Sequence, residues 1–307
     1  MRQRRIIQPG GAKPFDRVQG LGDVSLLLLT AATMIAFAGN SILARLALIE
    51  GEIGAGSFAL IRLLSGAVIL CLLCWREQPG HQGSWRGGAA LAVYAVFFAF
   101  AYLALPTGTG AVILFAVVQF TMIAWGLAQG ERLNRLQIAG ATVSAACLVW
   151  LVSPGLAAPP LLGSVAMICA GLGWGAYSII GKTARDPLPA TAGNFLRASA
   201  LCIVVLAPLL FFQPEPFPNP RGVVLALLSG AVTSGLGYAL WYTVLPHLGS
   251  IRAGVSQLTV PAIAAVGGVL FLSEPITWRF AIATTGILGG VALAVLTLPP
   301  RSTKADL

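Results

Sequence analysis

Apolar residues run along this chain in long unbroken blocks. They show neither the alternation of a half-buried strand nor the single stripe of a surface helix. A bilayer core ~30 Å thick is crossed by about 20 helical residues. Ten blocks reach that length: 23–48, 54–75, 87–105, 107–129, 133–152, 161–182, 189–212, 221–245, 250–273 and 276–298. Gly, Pro or charge fills the short links between them, and Pro106-Thr107-Gly108 is the sole break between the third block and the fourth. Lipid offers the backbone no hydrogen-bond partner, so each block is predicted to be a membrane-spanning α-helix.

Composition narrows the class. Of 307 residues, 57% are hydrophobic and only 9% charged, against ~25% charged in an ordinary soluble domain. That excludes a soluble enzyme, a nucleic-acid binder and a disordered chain. The basic excess follows the spans instead. With the N-terminus cytoplasmic, 14 of the 19 Lys and Arg residues fall on the inner side and only Arg45, Arg221 and Arg279 on the outer side. Both termini are therefore expected inside. Residues 1–22 read as a disordered basic cytoplasmic tail and 299–307 as a second cytoplasmic tail. Cys71, Cys74, Cys147, Cys169 and Cys202 all lie within apolar runs and read as packing residues.

The chain carries an internal repeat, 23–152 and 161–298. Tyr102-Leu-Ala-Leu-Pro106 is matched by Tyr242-Thr-Val-Leu-Pro246, Arg62 by Arg197, Glu131 by Glu274, and Arg45 by Lys182. Four matches in the same order make a repeat rather than coincidence. Each copy holds five spans, an odd number, so the second enters the membrane from the opposite side. Such inverted-topology halves can exchange conformations to face one side and then the other, which is the work of a carrier.

On these features the sequence resembles the ten-helix EamA-type family of the drug/metabolite transporter superfamily, over about residues 23–298. The resemblance rests on the five-plus-five repeat, Arg62 and Arg197, the Gly-Glu and Ser-Glu pairs at Glu131 and Glu274, and Pro261. The first half has Val118 where the second has Pro261, with Gln119 beside it. The resemblance implies an all-α polytopic fold and transport of small metabolites across the cytoplasmic membrane. Relatives carry amino acids, nucleotide sugars, sugar phosphates or drugs.

No acidic residue falls in the middle of a span, and His81 and His247 lie in or near links. A carrier without a mid-membrane acid suits a neutral or zwitterionic solute. Polar and aromatic side chains within the spans are the candidates to line its cavity: Asn40, Tyr94, Gln119, Trp174, Tyr177, Tyr238, Trp241 and Gln257. Helix–helix bonding suits any one of them equally. Arg62 and Arg197, costly in lipid, suit gating or the binding of an anionic group. Glu131 and Glu274 each precede a helix, where a carboxylate answers orphan N–H groups; proton coupling is their other candidate role. Gly140-x-x-x-Ser144 and Gly286-x-x-x-Gly290 are small-residue faces for close packing within the chain or in a homodimer.

The sequence carries no catalytic constellation, metal-ligand cluster or cofactor motif, so no enzyme activity, metal or cofactor is expected. The expected partners are a small-molecule substrate and the lipid bilayer, not nucleic acid, with the chain a monomer or a homodimer. The leading expectation is export of amino acids or related neutral or zwitterionic solutes by alternating access. An exchanger of anionic or phosphorylated metabolites using Arg62 and Arg197 is the alternative. A non-transporting scaffold or receptor is the alternative of another class.

Overall fold

A computed structural model describes residues 23–182, 184–212, 215 and 217–296. The two expected tails, 1–22 and 299–307, lie outside the described residues. Every regular element described is helical: α1 (Asp23–Ile49), α2 (Ala55–Leu73), α3 (Trp85–Tyr102), α4 (Thr107–Ala128), α5 (Arg135–Val152), α6 (Leu161–Gly181), α7 (Pro187–Phe212), α8 (Pro220–Leu228), a π-helical segment (Ser229–Leu236), α9 (Gly237–Gln257), α10 (Thr259–Leu272) and α11 (Trp278–Leu296). Two short 3-10 turns lie between α2 and α3. Among the described residues, nine helical stretches are long and apolar enough to cross a membrane, and Trp278–Ala294 is a shorter tenth. Large side chains such as Leu28, Leu72, Leu162, Val204 and Leu270 stand exposed on these helices. On apolar helices of this length, that surface belongs against lipid.

Side chains set the helix starts. Asn134 and Gln137 form a reciprocal capping box at α5, with Gln137 N–H donating to Asn134 Oδ1 (2.9 Å) and Asn134 N–H to Gln137 Oε1 (2.8 Å). Ser84 Oγ accepts from Gly87 N–H (3.0 Å) at α3. Asn219 Oδ1 accepts from Gly222 N–H (2.9 Å) at α8, with Pro220 in the first turn. Each bond satisfies one of the donors that a helix start leaves without an intrahelical acceptor. Two further starts are capped from far along the chain. Glu215 accepts from Gly56 and Ser57 N–H at α2, and Glu274 from Thr107 N–H at α4.

The sequence is matched at Pro106, which directly precedes α4. It is corrected at Pro246, where a link between spans eight and nine is expected. The helix there runs on through Pro246 to Gln257, and the break falls at Leu258. Pro261 then sits in the first turn of α10, where a missing N–H costs no helical bond. The helix break thus lies inside the ninth apolar block rather than before it.

Helices from the two halves interleave. α3 packs on α6 and α7, α2 on α7 and the π-helical segment, α4 on α6 and α10, and α5 on α11, while α1 packs on α8, the π-helical segment, α9 and α10. The two small-residue faces meet each other. Gly140 lies against the Gly290 carbonyl and Gly286 against Cys147. This packing uses both faces within one chain.

Candidate functional site

At the crossing of both halves lies a cavity of about 30 Å³. That volume admits a water or one small polar group and excludes a whole metabolite. α1 contributes Phe37, Asn40 and Ser41, α3 contributes Tyr94 and Phe98, α6 contributes Trp174, and α9 contributes Tyr238 and Gln257. Gln257 reaches the cavity from the last position before the helix break. An interrupted helix at membrane depth is tolerated where it faces protein or a cavity.

The aromatic wall is built around Trp174. Its ring lies 4.8 Å from Tyr94, 5.5 Å from Tyr177 and 5.6 Å from Tyr238, centroid to centroid. Phe37 joins Tyr238 and Trp241 at 5.8 and 5.9 Å. Close backbone approaches let these rings meet: a side chain at Gly173 would strike the α3 backbone at Tyr94 N (2.8 Å). Tyr177 hydrogen-bonds Thr191 (3.0 Å), which in turn reaches Tyr242 (3.1 Å).

Asn40 is held by hydroxyls from the π-helical segment. Ser229 Oγ, Thr233 Oγ1 and Ser234 Oγ surround its Oδ1 at 3.0, 2.7 and 3.1 Å. Its Nδ2 donates to the Thr233 carbonyl at 3.4 Å, which fixes the amide's orientation, since a carbonyl can only accept. The wider turn of a π-helix places residues 229, 233 and 234 on one side, and such segments recur at functional sites.

Arg62 lies behind this wall and is 3% exposed. Its Nη2 donates to the Tyr94 hydroxyl (2.7 Å) and its Nε to Ser234 Oγ (3.3 Å). The guanidinium also stands over the Tyr94 and Phe98 rings at 5.0 and 4.6 Å. Its Nη1 is buried without a hydrogen-bond partner among the described residues. Among the described residues no carboxylate forms an ion pair with it. Gly230 lies against the Arg62 carbonyl, and this contact lets the π-helical segment bring Ser234 within reach.

Arg197, which the sequence pairs with Arg62, holds a different post. Its Nη1 donates to Gln82 O (2.6 Å) and Gly193 O (2.9 Å), and its Nη2 to Gly80 O (3.2 Å). It pins the α2–α3 link to α7 at the bundle end, away from the cavity. The structure therefore does not bring the two arginines together. The glutamates also differ. Glu274 is mostly buried and bonded to Arg45 and Thr107, whereas Glu131 is exposed and its carboxylate lies against Gly126. Glu274 caps α4, not the helix that follows it.

Of the eight cavity candidates, Asn40, Tyr94, Trp174, Tyr238 and Gln257 line the cavity. Tyr177 touches Trp174, and Trp241 stands behind Phe37. Gln119, half-buried on α4, is not among the lining residues. Sequence reasoning passed over Ser229, Thr233 and Ser234. Their signal was a run of small and hydroxylated residues, Ser229 to Gly237, in an otherwise apolar span. A larger, open cleft of about 260 Å³ lies at the Glu274 end, but that carboxylate is already bonded to Arg45 and Thr107.

Known proteins place this arrangement in a family. The EamA-like transporter family model matches residues 161–296. An uncharacterized protein of Pseudomonas aeruginosa is 46% identical over 286 residues, covering 92% of this chain and 98% of its own. An uncharacterized transporter of Archaeoglobus fulgidus is 28% identical, covering 87% and 96%. A probable amino-acid metabolite efflux pump of Salmonella typhimurium is 24% identical, covering 70% and 78%. A solved crystal structure shares the fold at a TM-score of 0.60 and 21% identity, covering 87% of this chain and 96% of that one. With its apolar helices and interleaved halves, the chain belongs to the EamA-like transporter family of the drug/metabolite transporter superfamily: it is a multi-pass membrane transporter and not an enzyme.

Proposed function

We propose that this transporter is a secondary carrier of amino acids or related zwitterionic metabolites, exporting them across the cytoplasmic membrane by alternating access with both termini inside. The observation that carries this reading is the central cavity. Aromatic rings and two amides line it, helices from both halves build it, and an arginine with no carboxylate partner among the described residues stands behind it. Such a site offers apolar faces to a side chain or an ammonium and donors to a carboxylate.

The helix pairings support the inverted repeat. If α1 to α5 are mated with α6, α7, the α8–α9 stretch, α10 and α11, the most extensive cross-half pairings have their mates. α3 on α6 answers α1 on α8 and α9; α4 on α6 answers α1 on α10; α2 on the π-helical segment answers α3 on α7. α2 with α7, α4 with α10 and α5 with α11 are their own mates. That pattern is what a two-fold axis in the membrane plane produces. The efflux-pump relative supports amino-acid export.

Counterflow in proteoliposomes tests the reading, with a pooled panel of labelled neutral and aromatic amino acids. Uptake above that of empty liposomes is the expected result. No uptake by folded protein overturns the amino-acid assignment. The exchanger reading loses one of its two arginines, because Arg197 is bonded to backbone carbonyls; what remains of it is Arg62.

A further inference from the structure

We propose that the cavity grips its solute by a carboxylate, held between the Tyr94 hydroxyl and the Asn40 amide, and that Arg62 is a positioning residue that polarises both donors from behind. This rests on the transporter reading above and names the solute group that the site selects.

The argument follows the protons. The Tyr94 oxygen accepts from the Arg62 guanidinium at 2.7 Å. Its own proton has no acceptor among the described residues, and Tyr94 lines the cavity. A hydroxyl that accepts a charge-assisted bond becomes a stronger donor through its remaining O–H. The second relay runs from Arg62 Nε to Ser234 Oγ, and from the Ser234 hydroxyl to Asn40 Oδ1 (3.3 and 3.1 Å). Drawing electron density to Oδ1 strengthens the Asn40 N–H donors. One of these N–H groups makes only a long 3.4 Å bond to Thr233 O, and the other has no acceptor among the described residues.

Two polarised donors thus share one cavity, backed by a buried cation with no acidic counter-ion among the described residues. A singly charged planar group with two acceptor oxygens matches that set. A phosphate dianion, with three oxygens and twice the charge, exceeds both the donors and the charge supplied. The present cavity admits a group of carboxylate size only. The rest of the solute enters against Trp174, Tyr238 and Phe37 as the halves move apart. An amino acid and a monocarboxylate without an amino group offer the same chemistry, and the test separates them.

The test is ligand-induced thermal stabilisation of the purified full-length protein. The probes are the common amino acids, their carboxamides, and acetate, lactate and phenylacetate. The best-bound acid is expected to exceed its own amide in affinity by at least about tenfold. Tyr94→Phe, which removes one oxygen, brings the acid down towards the amide's level, with a smaller loss for the amide, whose single carbonyl oxygen is a weaker acceptor than a carboxylate. Arg62→Gln does the same, and Arg62→Lys recovers part of the preference. Amides that bind as well as acids overturn the proposal, as does an acid preference that survives Tyr94→Phe in monodisperse protein. Arg62-dependent binding confined to the amino-free acids keeps the carboxylate grip and removes the amino-acid assignment. No Arg62-dependent binding of any acid overturns the grip, whatever counterflow reports.

Discussion

Glu274 and Arg45 form an ion pair at 3.2 Å with about a tenth of each side chain exposed. It ties four chain segments together at one end of the bundle. Glu274 Oε2 accepts from Thr107 N–H (2.8 Å), capping α4, while Arg45 Nη1 donates to the carbonyls of Tyr102 (2.9 Å) and Leu103 (3.1 Å) at the end of α3. A carboxylate at a helix start and a guanidinium at a helix end both sit where the helix dipole favours them. The pair joins α1, α3, α4 and the α10–α11 link.

Glu274→Ala is therefore expected to be among the most destabilising single changes outside the cavity. It strands Arg45 in a buried site and uncaps α4, and losing one partner of a buried pair costs about 3 kcal/mol. Glu274→Gln keeps an oxygen for Thr107 N–H and is expected to cost less. Thermal unfolding of the two variants in the same detergent checks the order. An Ala variant as stable as wild type removes the pair's structural role.

The Gly140–Gly290 contact gives a second expectation with an internal control. A methyl on Gly140 meets the Gly290 carbonyl and Ala294 N (3.0 Å), which are backbone atoms that cannot rotate away. Gly140→Ala is expected to separate α5 from α11 and cost about 1–3 kcal/mol, the range for overpacking. Gly289, one position along α11, faces open space. Gly289→Ala is expected to be neutral or to stabilise by up to about 1 kcal/mol through helix propensity. Equal melting temperatures for the two variants would contradict this packing.

How far the sequence discloses these features depends on the kind of signal. Span positions are legible because lipid imposes an apolar run of fixed length, and Pro106 marks a link where its missing N–H costs nothing. Pro246 looks the same locally, yet the helix continues through it. Depth along a span is legible too, but the direction a side chain faces is not. Asn40 and Gln119 look alike as mid-span amides, and only Asn40 turns to the cavity. Arg62 and Arg197 share a motif, but the loop at 79–84 folds under α7 and supplies Arg197 with carbonyls. The hydroxyls of Ser229, Thr233 and Ser234 are hidden for another reason. Most such groups in helices bond back to the carbonyl four residues earlier, as Ser65 and Ser199 do here. Thr233 keeps such a bond to the Ser229 carbonyl (2.9 Å) as well, and the wider π-helical turn that brings all three round Asn40 leaves no periodic trace.

The two acidic contacts at the start of α2 and α8 should separate by burial. Glu215 accepts from Gly56 N–H (2.7 Å), Ser57 N–H (3.0 Å) and the Ser57 hydroxyl (2.9 Å). Glu215→Ala removes the cap of α2 and is expected to cost about 1–2 kcal/mol. Arg221 bridges Glu50 and Glu52 with its own side chain 54% exposed. Arg221→Ala is expected to cost less than Glu215→Ala, since solvent screens exposed pairs. Added salt should erase the effect of Arg221→Ala and leave most of that of Glu215→Ala. Melting curves at low and high ionic strength distinguish them.

Asn40→Asp makes the sharpest demand on the site. The three hydroxyls around Oδ1 already serve an acceptor, so a carboxylate is accommodated there, and the fold is expected to persist. The change replaces the donating Nδ2 with an oxygen that faces the Thr233 carbonyl. It also places a negative charge one hydroxyl away from Arg62, through Ser234. That charge supplies a counter-ion to the buried arginine, which has none among the described residues, so the positive potential behind the cavity falls. Binding of an acid by this variant is expected to weaken by at least about tenfold, with the amide less affected. Tyr94→Phe combined with Asn40→Asp should then add little, because either change alone already removes the acid's advantage. A double variant whose losses are simply additive would place Tyr94 and Asn40 in separate sites rather than on two sides of one carboxylate.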